Sequence, residues 1–151
     1  SVGANAGLIN LACDLNKKRP QMIVRKIEAF LKNRSKSING SNLLLIGLGY
    51  KKNISDLRES PAIEIFDLLL NLGCNLKWHD PLVANNHFQR DVQRELDLSP
   101  QLLKNQDLCV ILADHDLIDW DMVLNYSSFI LDTKNKFANC DSSMIEKIIN
   151  F

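Results

Sequence analysis

The chain has 151 residues, with 18 basic and 18 acidic side chains, 46% apolar positions and 7% aromatic ones. That length corresponds to one domain, large enough to bury a core without disulfide or metal staples. Zero formal charge excludes a broad electrostatic footprint for nucleic acid or an anionic membrane, and no apolar run approaches the ~20 residues of a spanning helix, so a soluble protein is expected.

The opening run Ser1-Val2-Gly3-Ala4-Asn5-Ala6 lacks an initiating Met and reads as the cut edge of a longer protein. From Gly7 to Lys36 the apolar spacing is helical, with Leu8, Leu11, Ala12 and Leu15 followed by Ile23, Ile27, Phe30 and Leu31. Pro20 interrupts this pattern, which predicts two helical segments or one kinked helix. The polar stretch from Ser35 to Ser41 is the best boundary in the chain. Leu43 to Gly49 is a short, continuous apolar run ending in glycine, as expected for a strand buried on both faces of a parallel sheet. Ser60-Pro61 opens a helix striped by Ile63, Phe66, Leu69 and Leu70, and Gly73 is placed to end it.

Asn75 to His79 forms the second strand, stopped by Asp80-Pro81. A helical stretch is expected from about Asn86 to Leu98, and another from Pro100. Asp107 to Ala113 makes a third strand, Trp120 to Asn125 a short helix, Phe129 to Asp132 a fourth strand, and Ser142 to Ile149 a last helix. Alternation of strands and helices from residue 43 onward implies right-handed crossovers. The fold class is therefore α/β: a Rossmann-like parallel sheet flanked by helices, with an N-terminal helical extension. Cys13, Cys74, Cys109 and Cys140 are widely spaced without a Cys-x-x-Cys pair, so no metal site is expected and four free thiols in a reducing cytoplasm are. The N-terminus has no signal-peptide pattern.

Ligands of open parallel sheets bind at the carboxyl ends of the strands. That rule selects the loop from Gly47 to Ser60, the turn Trp78-His79-Asp80-Pro81 and the loop after Asp132. Gly47-x-Gly49 lets backbone amides approach a phosphate, the Ser60-Pro61 helix offers its positive end, and Lys51, Lys52 and Arg58 add charge. A pyrophosphate-bearing ligand suits such a loop, although the third glycine of the dinucleotide fingerprint is replaced by Lys52. An ion pair with Asp56 or Glu59 is the structural alternative for Arg58, and Lys52 reads as a solvated surface lysine. His79 and Asp80, adjacent in an extended segment, point to opposite faces and form no direct relay. His115, between Asp114 and Asp116, reads as part of a cluster that ends a strand and caps a helix. His87 carries no signal.

The sixteen-residue run from Gly47 to Ala62, with Tyr50-Lys51 and Asp56-x-Arg58-Glu59-Ser60-Pro61, closely resembles the C-terminal domain of the UDP-glucose/GDP-mannose dehydrogenase family. Trp78-His79-Asp80-Pro81 is similar to the family's aromatic-x-Asp-Pro turn. Asn16 to Pro20 resembles its Asn-x-x-x-Pro element at the end of the central helix, and Asp132-Thr133-Lys134-Asn135 its Asp-Thr-Arg-Asn segment. The resemblance covers about residues 7 to 150. It implies that residues 1–41 are the end of a connecting and dimerisation helix with its linker, and that residues 42–151 are a C-terminal UDP-sugar-binding unit.

The resemblance further implies that Tyr50, Lys51 and Lys134 contact a UDP-sugar and that Arg58 reaches toward NAD. Lys134 stands where many relatives carry arginine, keeping the charge without the planar fork. Family enzymes oxidise a sugar's primary alcohol twice, with NAD and a catalytic cysteine. None of the four cysteines lies in the Gly-rich setting such a nucleophile has, and the NAD-binding domain's own fingerprint is absent from this sequence. The expectation is thus a non-catalytic, nucleotide-sugar-binding part of a cytoplasmic, homodimeric NAD-dependent dehydrogenase acting on a UDP-hexose or UDP-N-acetylhexosamine. The rival readings are a stand-alone Rossmann-type nucleotide-binding module and a dimerisation module without dehydrogenase chemistry.

Overall fold

The computed structural model describes residues 2–84 and 87–151. Six parallel strands form one sheet: β1 (Asn42–Ile46), β2 (Asn75–His79), β3 (Gln93–Arg94), β4 (Leu108–Ile111), β5 (Ile130–Asp132) and β6 (Ile148–Asn150). Their order is β3-β2-β1-β4-β5-β6, so the chain reverses direction across the sheet between β1 and β4. Helices α1 (Val2–Asn33) and α2 (Pro61–Asn71) cover one face, and α3 (Pro100–Lys104) and α4 (Trp120–Tyr126) the other.

The pleat sorts the strand residues between these two layers. Leu43 and Leu45 of β1, Leu76 and Trp78 of β2, and Leu108 and Val110 of β4 join Ile23, Val24, Ile27 and Leu31 of α1 and Ile65, Phe66 and Leu69 of α2. Leu44, Ile46, Cys109, Ile111 and Ile130 point the other way, against Leu102 and Leu103 of α3 and Val123 of α4. Burial on both faces is why β1 and β4 read as unbroken apolar runs, whereas β2 alternates, with only Leu76 and Trp78 in the core.

Helix starts follow their caps. Ser60 Oγ accepts from Ala62 N, Ser99 from Leu102 N, and Asp119 from Met122 N, with Pro61 and Pro100 in the first turn where no N–H is needed. Gly73, at φ +81°, ends α2 in the left-handed conformation, and the Gly73 and Cys74 amides return to Leu70 and Leu69 carbonyls.

Of the two readings of Pro20 the single helix is found, since α1 runs from Val2 to Asn33 with Pro20 inside it; two expectations elsewhere in the chain are corrected. Pro20 is buried, and Ile23, Val24, Ile27 and Leu31 anchor the following turns in the core, which outweighs the missing backbone bond to the Asn16 carbonyl. The helix expected over 86–98 is absent from 87–98, which instead carries β3 at the sheet edge; Asn86 lies outside the described residues. There Phe88 wedges edge-on between Phe66 and Trp78, at centroid distances of 4.8 and 5.1 Å, and Glu95 N donates to Trp78 O. A helix would have aligned Leu96 with Phe88 and Val92, whereas Leu96 is 66% exposed. The last helix is a 3-10 turn at Ser142–Lys147, and the chain then pairs as β6, Ile148 opposite Ile130 and Ile149 opposite Leu131.

Burial separates the thiols. Cys13 is exposed, whereas Cys74 and Cys109 are buried and desolvation pushes both thiols up to about 11. Alkylation of the native protein followed by peptide mass spectrometry is expected to label Cys13 first, with Cys74 and Cys109 slower by about a hundredfold until denaturant is added.

Candidate functional site

The loop from Gly47 to Ser60 leaves β1 beside the point where the sheet reverses. Gly47 takes φ +79°, and a Cβ there would stand 2.4 Å from the Ala113 carbonyl; at Gly49 it would stand 2.4 Å from the Ile54 carbonyl. Both glycines are therefore required by backbone packing against β4 and within the loop itself.

The amides of this turn face inward. Gly47 N donates to the His79 carbonyl and Tyr50 N to the Asp56 carbonyl. Leu48 N and Gly49 N donate to Asp80 Oδ2 at 2.7 and 3.1 Å. The expectation that Gly47-x-Gly49 exposes its amides to a phosphate is thus corrected: a buried carboxylate of the protein occupies the anion's place. Ser60 likewise turns inward, its Oγ donating to the Leu48 carbonyl at 2.8 Å.

Asp80 has no exposed surface. Its Oδ1 accepts from Leu82 N at 2.9 Å, and its Oδ2 also meets His115 Nε2 at 3.1 Å. Burial alone would push this carboxyl up; the hydrogen bonds from His115, Leu82 and Leu48 outweigh it and hold Asp80 below the ordinary carboxylate range. His79 faces elsewhere, its Nδ1 donating to the Glu95 carbonyl at 2.9 Å.

Beside this turn lies a cleft of about 590 Å³ at the carboxyl ends of β1, β4 and β5. Tyr50 and Lys51 reach it from the β1–α2 loop, and Lys134 from the loop after β5. α1 supplies Asn16, Lys17 and Arg19, the loop just before α2 supplies Glu59, and the first turn of α2 supplies Glu64. Four cationic side chains thus face two carboxylates, and the Glu64 carboxylate accepts from Gln21. Asp132 shapes the β5 side: its two oxygens accept from Lys134 N and Phe137 N at 3.0 and 2.9 Å, with Asn135 at φ 57° completing the turn. Arg19 donates to the Thr133 carbonyl at 3.1 Å and stacks on Phe151 at 4.7 Å, tying the helix to the loop that carries Lys134.

Tyr50, Lys51 and Lys134, singled out in the sequence, therefore share one cleft. Arg58 does not line it. It borders a separate recess with Ile54, Ser55 and His87, its NH2 2.9 Å from Asp56 Oδ2; this pairing, foremost the side-chain hydrogen bond, lowers Asp56 to about 2. Lys52 pairs with Asp116 at 2.8 Å. Asn16 was visible as part of the Asn-x-x-x-Pro resemblance but with no site role, Lys17 and Arg19 only within that stretch beside Pro20, and the meeting of Asp80 with His115, 35 positions apart, left no local signal. Among the described residues no group of three or more metal-ligating side chains gathers, and no helix is long and apolar enough to cross a membrane.

The strand order, with a cleft at its switch point, defines a Rossmann-like α/β domain. The chain belongs to the UDP-glucose/GDP-mannose dehydrogenase family: residues 44–139 match the model of its UDP binding domain. It is 34% identical over 139 residues to the UDP-N-acetyl-D-mannosamine dehydrogenase of Methanocaldococcus jannaschii, covering 87% of this chain and 30% of that protein. It is 31% identical over 128 residues to the UDP-glucose 6-dehydrogenase of Rickettsia bellii, covering 80% of this chain and 29% of that one. Among solved structures, the NDP-N-acetyl-D-galactosaminuronic acid dehydrogenase of Methanosarcina mazei superposes with a TM-score of 0.72 at 25% identity, over 93% of this chain and 30% of that one. The chain thus spans about 30% of the length of the relatives it matches.

Replacing Asp80 by alanine strands two buried amides and the His115 N–H, which is expected to cost about 3 kcal/mol in urea unfolding. Because the folded-state carboxyl lies below its ordinary value, its stabilisation is complete above about pH 4 and is lost as pH falls through the lowered value. The stability gap between wild type and Asp80→Asn is therefore expected to narrow in acid, checked by urea titrations at pH 7 and pH 3.

Proposed function

We propose that the cleft binds the UDP moiety of a nucleotide sugar, and that the chain is the nucleotide-sugar-binding part of an NAD-dependent dehydrogenase converting a UDP-hexose or UDP-N-acetylhexosamine to its uronic acid. The observation that carries this reading is the convergence of Tyr50, Lys51 and Lys134, from loops more than 80 residues apart, on one cleft at the sheet's switch point. Lys51 and Lys134 pair with the diphosphate or sugar oxygens, and Tyr50, 46% exposed, offers a ring face and a hydroxyl. Lys17 and Arg19 add charge from the opposite wall. With the turn's amides turned inward, side-chain ammonium and guanidinium groups take up the anion's charge.

In this reading residues 1–41 form the end of a connecting and dimerisation helix with its linker, and residues 42–151 the UDP-sugar-binding unit. Leu8, Leu11 and Leu15, exposed on the first half of α1, are the apolar stripe through which a cytoplasmic homodimer forms. NAD, the hydride acceptor of the whole reaction, is held mainly outside this chain. Arg58 fits an edge contact to it: 89% of its side chain is exposed, and Asp56 fixes the guanidinium's orientation. None of the four cysteines borders the cleft, and the nucleophile of the reaction is assigned elsewhere in the enzyme.

Calorimetric titration with UDP, with NAD as comparison ligand, tests the reading. UDP is expected to bind with a micromolar-to-millimolar Kd and NAD weakly or undetectably. Lys51→Ala and Lys134→Ala are each expected to weaken UDP by about tenfold, and Lys134→Arg to retain binding. NAD binding without UDP binding, or a Lys51→Ala variant with undiminished affinity, overturns it.

A further inference from the structure

Asn53 and His115 carry an arrangement that the cleft's own residues do not explain. His115 has no exposed surface, and both ring nitrogens are engaged. Asn53 N, which can only donate, points at Nδ1 at 2.8 Å, so Nδ1 bears the lone pair. Nε2 then carries the hydrogen and donates to Asp80 Oδ2 at 3.1 Å. The hydrogen-bond network thus assigns a neutral imidazole in the Nε2–H tautomer. The same Asp80 oxygen receives Leu48 N and Gly49 N. One carboxylate and one imidazole therefore grip the loop at both ends, just before Tyr50 and Lys51 and two residues after them.

We infer that Asp80 and His115 are positioning residues that hold the Tyr50–Lys51 loop in the geometry the nucleotide requires, without touching the nucleotide themselves. The inference rests on the UDP-binding reading of the cleft. Three features support it. The loop turns sharply at Asn53, whose φ of 61° is a left-handed conformation that asparagine tolerates, and it is the amide of this turning residue that His115 receives. The outer fastenings of the loop lie in water: Lys52 pairs with Asp116, whose side chain is 64% exposed, and the Asn53 side chain exchanges hydrogen bonds of 2.8 and 2.9 Å with the Asp116 carboxylate and amide. Exposed contacts of this kind are weak, so the loop's hold on the protein passes through its buried bonds, Ser60 Oγ to the Leu48 carbonyl at the helix start and the His115–Asp80 pair on either side of Tyr50 and Lys51. Finally, the main chain that carries the ring is fixed, because Trp120 Nε1 donates to the His115 carbonyl at 2.9 Å, and the ring lies so close to Gly49 that a Cβ there would stand 3.3 Å from its Cε1.

The test compares wild type, His115→Leu and His115→Gln by UDP calorimetry and by amide hydrogen exchange. Leucine fills the space and deprives Asn53 N–H and Asp80 of their partner; glutamine can accept from Asn53 through Oε1 and donate to Asp80 through Nε2. His115→Leu is expected to weaken UDP about tenfold and to speed exchange at Gly49 and Asn53 while Leu44 to Ile46 of β1 stay protected. His115→Gln is expected to restore most of both. Faster exchange throughout β1 and β4, or a glutamine variant no better than leucine, overturns the inference in favour of a general packing role. Should wild type itself fail to bind UDP, the reading of the cleft falls, and exchange alone decides: loosening confined to residues 49–56 upholds the positioning role, and global loosening removes it.

Discussion

The molecule is organised around one buried carboxylate. Asp80 sits at the end of β2, without contact to water, where an isolated charge would be prohibitively costly. It is tolerated because four N–H groups meet it: Leu48 and Gly49 from the turn after β1, Leu82 from its own loop, and His115 from beyond β4. Three separate segments are thereby fixed to one point at the carboxyl edge of the sheet. The requirements of the neighbouring residues follow. Gly47 and Gly49 have to lack side chains so that the turn can close on Ala113 and Ile54, and Pro81 follows where the chain leaves the strand.

That arrangement alters how a Rossmann-like turn handles an anion. In the dinucleotide fingerprint the glycine turn presents free amides to a phosphate. Here an internal carboxylate takes up two of those amides, the Asp56 carbonyl takes up Tyr50 N, and Ser60 satisfies the helix start from within. Lys52, at the position of the third fingerprint glycine, is compatible with this because no ligand has to approach the backbone there; its ammonium turns to Asp116. In the proposed nucleotide site, charge recognition passes to long side chains at the cleft. Such groups reach farther than amides and act through solvent-exposed charge, so the strength of the site depends on how firmly their supporting loops are held.

Three of the four central strands were legible because a strand covered on both sides shows an unbroken buried run, as at Leu43–Ile46, Leu108–Ile111 and Ile130–Asp132; β2 instead alternates, with Leu76 and Trp78 set between Asn75, Lys77 and His79, and was legible from its Asp80-Pro81 stop. Helix α2 was legible from chemistry at its ends, Ser60-Pro61 and Gly73. The edges were not. Residues 87–98 carry Phe88, Val92 and Leu96 at helical spacing, yet aromatic packing of Phe88 and pairing with β2 won over periodicity. β6 was missed because two half-buried residues and an exposed one after a turn carry too little pattern to declare a strand until β5 lies beside them. At the site, Tyr50, Lys51 and Lys134 came from motif resemblance, whereas Asp80 with His115 needed the crossing of two distant segments in space. His115 was read as the end of a strand, which is its place along the chain; its ring, buried between Asp80 and Asn53, is what the sequence does not show.

Helix α1 divides at the cleft. Its first half exposes Leu8, Ile9, Leu11 and Leu15 by more than half each, while its second half lies in the same core as the sheet and α2. Pro20 marks the change, and the three residues lining the cleft from this helix just before it, Asn16, Lys17 and Arg19, sit in the turn whose carbonyl ladder the proline interrupts. Arg19 then reaches from that turn to Thr133, beside Lys134. The cleft wall is thus built from a helix anchored at one end and free at the other, joined to the β5 loop by one guanidinium. Lys17 and Arg19, which the proposed nucleotide site would use, therefore sit at the junction between the exposed and the anchored half of the helix.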